Sequence, residues 1–342
     1  MHVFFPAPTP SSGRPRRLLR QRFALGAMRS FFLFPLLLAT GGCAMPQDAM
    51  TNSAATCFQK YPDFTRPIKT SVLPRLTNGE AGRRAYDAVM AGDRDAVTKM
   101  IAADPRLLST MVPPRPVGEG PNDGEYGDLL AFAAANCDLP MMQTLIESGM
   151  PADGAQPGAA LLIALHADEP SMAQFLFQSG ASANPEKKEG GLEVAKLSIL
   201  HGNLGAFMML IRHKLDVNHA DELGQTILHE AVNGDRFAIA EELVKAGANP
   251  WLSNNIGFVP ARQIYEGMAV ERDPDAAAQR HLAETVRKAD LPWPPPNPKE
   301  VREKTISGEW PTPALTKAGF IIPPQAVAHI KAHYNADGSL KN

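Results

Sequence analysis

The sequence predicts an all-α solenoid, in which five to six short helix–turn–helix units stack side by side. Three observations lead there. A twelve-residue offset between two turn positions occurs five times, and its recurrences sit near a period of 33 residues. Each unit also opens on small side chains and continues with bulkier apolar ones at helical spacing.

The closing turns fall at Asp104 in "MIAADP", Gly149 in "LIESGMPAD", Gly180 in "LFQSGASAN", Lys214 in "LIRHKLDVN" and Gly247 in "LVKAGANP". Twelve residues before each lies an inner turn at Gly92, Cys137, Asp168, Gly202 and Asp235, and both series step by 45, 31, 34 and 33. The small-residue stretches at 88–89, 131–135, 161–165, 195–200 and 228–232 allow a first helix to approach its neighbours closely. In the fifth unit the second helix carries Phe237, Ile239, Ala240, Leu243 and Val244 on one face. Gly149, Gly180 and Gly247 suit a left-handed helix end, which glycine occupies without a Cβ penalty. No unit can cover its own apolar face, so neighbours must stack, and each fully buried Leu or Phe contributes about 1.5–3 kcal/mol.

The 45-residue step contains "VPPRPVGEGPNDGEYG" (112–127), a Pro/Gly-rich insertion that reads as an exposed, non-helical loop. Its glycines lack both the Lys-Ser/Thr and the spacing of a phosphate-binding loop. Upstream, the expected division is a signal peptide over 1–42, with Met28 as an alternative start, and a polar tether over 43–77. The apolar run of "MRSFFLFPLLLATGGCAM" (28–45) has the length of a secretory core and is too short to span a bilayer. Thr40-Gly41-Gly42-Cys43 resembles a bacterial lipobox, with Cys43 as the lipidated residue; cleavage without lipidation is the alternative. Ala44 after that cysteine implies outer-membrane sorting. The repeat domain is expected over 78–290. A Pro-rich segment, 291–342, bears Trp293, Trp310, Phe320, Ile321 and Ile322, and is expected to fold back and cap the last repeat.

The fifth unit, "DELGQTILHEAVNGDRFAIAEELVKAGANP" (221–250), is similar to the ankyrin-repeat family's Gly-x-Thr-Pro-Leu-His-x-Ala opening and Gly-Ala-Asp ending, with Ile227 in place of Pro. The resemblance covers about 80–290 and is degenerate outside this unit, where spacing carries it. A sixth unit begins at "GFVPARQIYEG" (257–267), with Val259-Pro260-Ala261 standing for Thr-Pro-Leu. The resemblance implies that Thr226 and His229 hydrogen-bond at the start of the first helix and tie adjacent hairpins together. It also implies binding to other proteins through hairpin tips and first-helix faces. On that basis the expected partner-binding residues are Asp221, Glu222, Glu230, Asn233, Trp251 and Asn254. Trp251 has two readings, an interface hot spot or packing against the sixth repeat.

Charge and motif content bound the chemistry. Residues 1–42 hold six arginines and no acid, which leaves 28 basic against 36 acidic residues beyond them, about −8. Such an acidic body is a poor match for nucleic acid, whose phosphates need basic contacts. Cys57 and Cys137 have no metal or redox motif around them; they form either a disulfide, as an oxidising compartment permits, or two separate thiols. His329 and His333 stand at i, i+4 with no third ligand in view, so no metal is expected. No cofactor is expected either, and no nucleophile–base pattern points to catalysis. The expected function is a non-enzymatic protein-binding module of the bacterial periplasm, lipid-anchored, with another protein as partner. An immunity or accessory role for a secreted, type VI lipase-like effector is the first reading. A peroxide or envelope-stress scaffold is the alternative, and a cell-envelope enzyme is the alternative from another class.

Overall fold

In a computed structural model, the described residues are 57–341, apart from 66–72, 74, 114–126, 186–193, 268–273, 288–290 and 318–321. They belong to one compact unit, Gln47–Asn342. The expected signal peptide, Cys43 and nearly all of the insertion loop lie outside the described residues, as do Phe320 and Ile321.

Among the described residues six helical hairpins follow one another. They pair α1 (Gly79–Met90) with α2 (Arg94–Ala103), α3 (Leu129–Ala135) with α4 (Leu139–Glu147), and α5 (Ala159–Leu165) with α6 (Ser171–Gln178). Next come α7 (Val194–Leu200) with α8 (Leu204–Arg212), α9 (Ile227–Asn233) with α10 (Phe237–Lys245), and α11 (Pro260–Glu266) with α12 (Pro274–Val286). Each first helix packs on the first helix of the next hairpin, from α1 through α11. The small residues explain this file: every residue of α3 and α5 is buried, with neighbours on all sides. The second helices bury one face only, as Phe237, Ile239, Ala240 and Leu243 do in α10. Among the described residues no helix is long and apolar enough to cross a membrane.

The two turn series are visible in the backbone. Inner turns are left-handed at Gly92, Cys137, Gly202 and Asp235, and closing turns at Gly149, Gly180, Lys214 and Gly247. After the inner turn of the first, second and fourth hairpins an Asx side chain starts the second helix: Asp93 accepts from the Ala96 N–H, Asp138 from Met141 and Asn203 from Ala206. In the fifth hairpin that place is taken by Arg236, and Asp275 of the next hairpin caps α10 instead, accepting from the Ala238 N–H at 2.7 Å.

Two positions leave the series. Asp104 is extended, at φ −143°, because Pro105 starts a 3-10 turn there. Asp168 does not go left-handed, and its carboxylate holds the N-terminal segment, accepting from the N–H groups of Gln59 at 2.6 Å and Lys60 at 3.2 Å. The insertion is closed at its base, where Met111 pairs with Asp128 and the Val112 N–H donates to Gly127 at 2.8 Å.

The C-terminal segment forms α13 (Pro298–Ser307), α14 (Pro313–Lys317) and α15 (Pro324–His333). It covers the hairpin side of the last two repeats as well as the end of the stack. Arg302 donates to the Ile256 carbonyl at 2.7 Å, Arg262 to that of Pro295 at 2.7 Å, and His329 Nδ1 meets that of Asn255 at 3.2 Å. Val301, Trp310, Leu315, Ile322 and Ala326 join one hydrophobic core with Trp251, Val259 and Ile264.

Candidate partner-binding site

The hairpins between repeats are joined by a ladder of asparagines. Asn184 Nδ2 donates to the Lys214 carbonyl of the next repeat at 3.0 Å, while its Oδ1 accepts from the Asp216 N–H at 2.8 Å. Asn218 repeats this one unit on, with the Gly247 carbonyl at 2.9 Å and the Asn249 N–H at 2.8 Å. Asn249 then accepts from the Trp251 N–H at 2.9 Å. The Asn184 and Asn218 rungs each tie a closing turn to its neighbour. These asparagines fall outside the expected site residues, although their recurrence at steps of 34 and 31 matches the repeat period and would have found them.

Thr226 and His229 form a capping box at the start of α9. The Thr226 N–H donates to His229 Nδ1 at 3.1 Å, and Thr226 Oγ1 lies 2.9 Å from the same nitrogen. Nδ1 is therefore the acceptor, the ring proton sits on Nε2, and Nε2 donates to the Phe258 carbonyl of the next hairpin at 3.3 Å. Burial pushes the His229 imidazole down to about 4. With the folded value below the ordinary one, stability is present above about pH 6.5 and is lost as pH falls toward 4. The shift corresponds to about 3 kcal/mol. Chemical unfolding of wild type and His229→Ala at pH 7 and pH 4 should therefore show a gap about 3 kcal/mol smaller in acid. A gap that does not change with pH would mean the imidazole is not held neutral. Buried Asp128 and His166 also titrate, with Asp128 pushed up to about 6 and His166 down to about 4 by burial; both cancel in this comparison.

Beside the box, a groove of about 420 Å³ opens between the hairpins and first helices of the fourth and fifth repeats. Val194, Ala195, Leu215 and Ile227 give it an aliphatic lining, while Asp216, Asp221, Glu230, Lys196 and His219 supply polar groups. Lys196 Nζ and Glu230 Oε1 pair at 2.9 Å across α7 and α9. Asp221 Oδ1 accepts from the Leu223 and Gln225 N–H groups, each at 2.9 Å, which fixes the hairpin and holds the carboxylate at the groove.

The structure divides the six expected contact residues. Asp221 and Glu230 line the groove, whereas Glu222 and Asn233 are exposed outside its lining. Asn254 is a correction, and of the two readings of Trp251 the burial supports packing over an interface hot spot: each residue is only 2 % exposed. Trp251 belongs to the core beneath the sixth repeat. Asn254 Oδ1 accepts from the Ile256 and Phe258 N–H groups and its Nδ2 donates to Gln225 Oε1, so it builds a turn and faces no partner. Their hairpin also lies under the C-terminal segment, which takes the place a partner would need. Cys57 and Cys137 are joined by a disulfide with Cα atoms 6.3 Å apart, so the N-terminal segment is fastened to the inner turn of the second repeat. Among the described residues no group of three or more His, Cys, Asp or Glu is placed to hold a metal ion. His329 and His333 stack on one another at 4.1 Å, each with Nδ1 engaged on a carbonyl.

Residues 161–254 match the family model described as ankyrin repeats in three copies. The first two hairpins and the sixth lie outside that match, and their first helices continue the same stacked file. No curated protein matches the chain. The chain is similar to the crystal structure of the human ASB11 ankyrin repeat domain, at 16% identity over 64% of this chain and 90% of that one, with a TM-score of 0.39.

Proposed function

We propose that this chain, whose residues 161–254 match ankyrin repeats, is a non-enzymatic protein-binding module of the bacterial envelope, anchored by lipid at Cys43. The repeats make it a protein–protein interaction module. The observation that carries the placement of its binding surface is the groove at the fourth and fifth repeats, where hairpins and first helices stay open. The C-terminal segment fills the equivalent surface at repeats five and six, so partner contact concentrates upstream of it. An oxidising compartment suits the Cys57–Cys137 disulfide, because cytosolic thiols are kept reduced. The proposed role there is immunity or accessory partner of a secreted, lipase-like effector, which a rigid anchored surface would neutralise by covering its active face; for that role the warrant is analogy of fold.

Site-specific photocross-linking on the full chain in intact cells tests this reading. A photoreactive residue at His219, in the groove, should yield a discrete protein adduct in the membrane fraction. The same residue at Arg280, on the exposed face of α12, should yield none. Absence of an adduct at His219, or equal adducts at both positions, overturns the assignment of the groove.

A further inference from the structure

We propose that the occupant of this groove is an extended protein segment carrying arginine or lysine beside an apolar side chain. The inference rests on the protein-binding reading above and adds the chemistry of the partner. Among the described residues that line the groove, three carboxylates face one lysine, with His219 left aside. That lysine is already engaged, since Lys196 Nζ sits 2.9 Å from Glu230 Oε1 and the pair is locally neutral. Asp216 and Asp221 remain as unbalanced charge.

Their hydrogen bonds do not remove it. Asp216 Oδ1 accepts from the Asn218 N–H at 3.2 Å, and Asp221 Oδ1 accepts from two N–H groups at 2.9 Å. In both carboxylates Oδ2 has no partner among the described residues. Neutral N–H donors orient a carboxylate while leaving its negative charge in place. A guanidinium matches such a group with two parallel donors, and an ammonium meets it as a point charge. An acidic segment would instead meet like charge, with no spare cation among the described lining residues.

The apolar half of the recognition comes from Val194, Ala195, Leu215 and Ile227, which contribute aliphatic carbon and no charge. A volume of about 420 Å³ admits a few side chains of an extended chain and excludes a folded domain. The ladder fixes the hairpin geometry before a partner arrives, which lowers the ordering cost of binding.

The test titrates the full disulfide-bonded protein into two labelled nonapeptides, measured by fluorescence anisotropy. One alternates arginine with leucine and valine; its twin has every arginine replaced by glutamate. The basic peptide should bind at least tenfold more tightly. The double variant Asp216→Asn/Asp221→Asn keeps the Oδ1 acceptors and should erase that preference while leaving the unfolding midpoint in place. Ile227→Arg should abolish binding of the basic peptide. Equal binding of the two peptides, no binding of the basic one, or a preference that survives the double variant would each overturn the inference. Failure here is distinguishable from failure of the protein-binding reading: an adduct at His219 undiminished by Asp216→Lys/Asp221→Lys would retain that reading and remove only the basic partner.

Discussion

Trp251→Ala should destabilise the protein by about 3–5 kcal/mol, the range for deleting a large buried aromatic side chain. The indole is 2 % exposed and sits in one core with Phe237, Val259, Ile264 and Trp310. Deleting it leaves a cavity where the fifth repeat, the sixth repeat and the C-terminal segment meet. Stability in a stack of repeats is close to a sum of unit and neighbour contributions, so the damage should be local. Hydrogen exchange should show α11 to α15 losing protection first while α3 to α6 keep theirs. Urea unfolding gives the magnitude. A loss under about 1 kcal/mol, with binding of a groove ligand weakened instead, would return Trp251 to the role of a surface contact.

Trp251 also marks the boundary of what the sequence discloses. A tryptophan four residues past a closing glycine has the same local pattern whether a partner or the chain itself covers it. Part of the core that covers it, Val301, Trp310 and Leu315, comes from fifty or more residues later in sequence. Nothing within the fifth unit reports that contact. The helices and turns were legible for the opposite reason. Left-handed turn residues and small first-helix residues are local requirements, each written within a few positions of where it acts, as at Gly202 and Gly247. The exceptions were not local. Asp168 keeps its place in the period while its carboxylate serves a segment 109 and 108 positions away. The groove stood between these extremes. Asp221 and Glu230 were found through the repeat grammar, but Asp216, Lys196 and Val194 join them only once neighbouring hairpins are stacked.

The second large effect belongs to the Cys57–Cys137 disulfide. It closes a loop with a sequence separation of 80, and by chain entropy such a link stabilises by about 2–5 kcal/mol through restriction of the unfolded chain. Cys57→Ser/Cys137→Ser should lower stability by that amount, and reductant should do the same to the wild type while leaving the variant unchanged. The segment it holds has further contacts: the Asp168 N–H donates to the Cys57 carbonyl at 2.8 Å, and the Phe64 ring stacks on His166 at 4.2 Å. Phe58 and Phe64 also reach the repeat core, whereas the hydrogen bonds from the Gln59 and Lys60 N–H groups to Asp168 are exposed, so once the covalent link is gone these two N–H groups should exchange with solvent before the repeats open. Residues 57–65 meet the inner turns and lie outside the lining of the groove, so affinity for a groove-directed peptide should hold in the reduced protein. Thermal and urea curves for oxidised and reduced protein decide the matter. Coincident curves would mean that Asp168 and Phe64 hold the segment by themselves; parallel losses of stability and of peptide affinity would mean that the turn face and the groove are one cooperative unit.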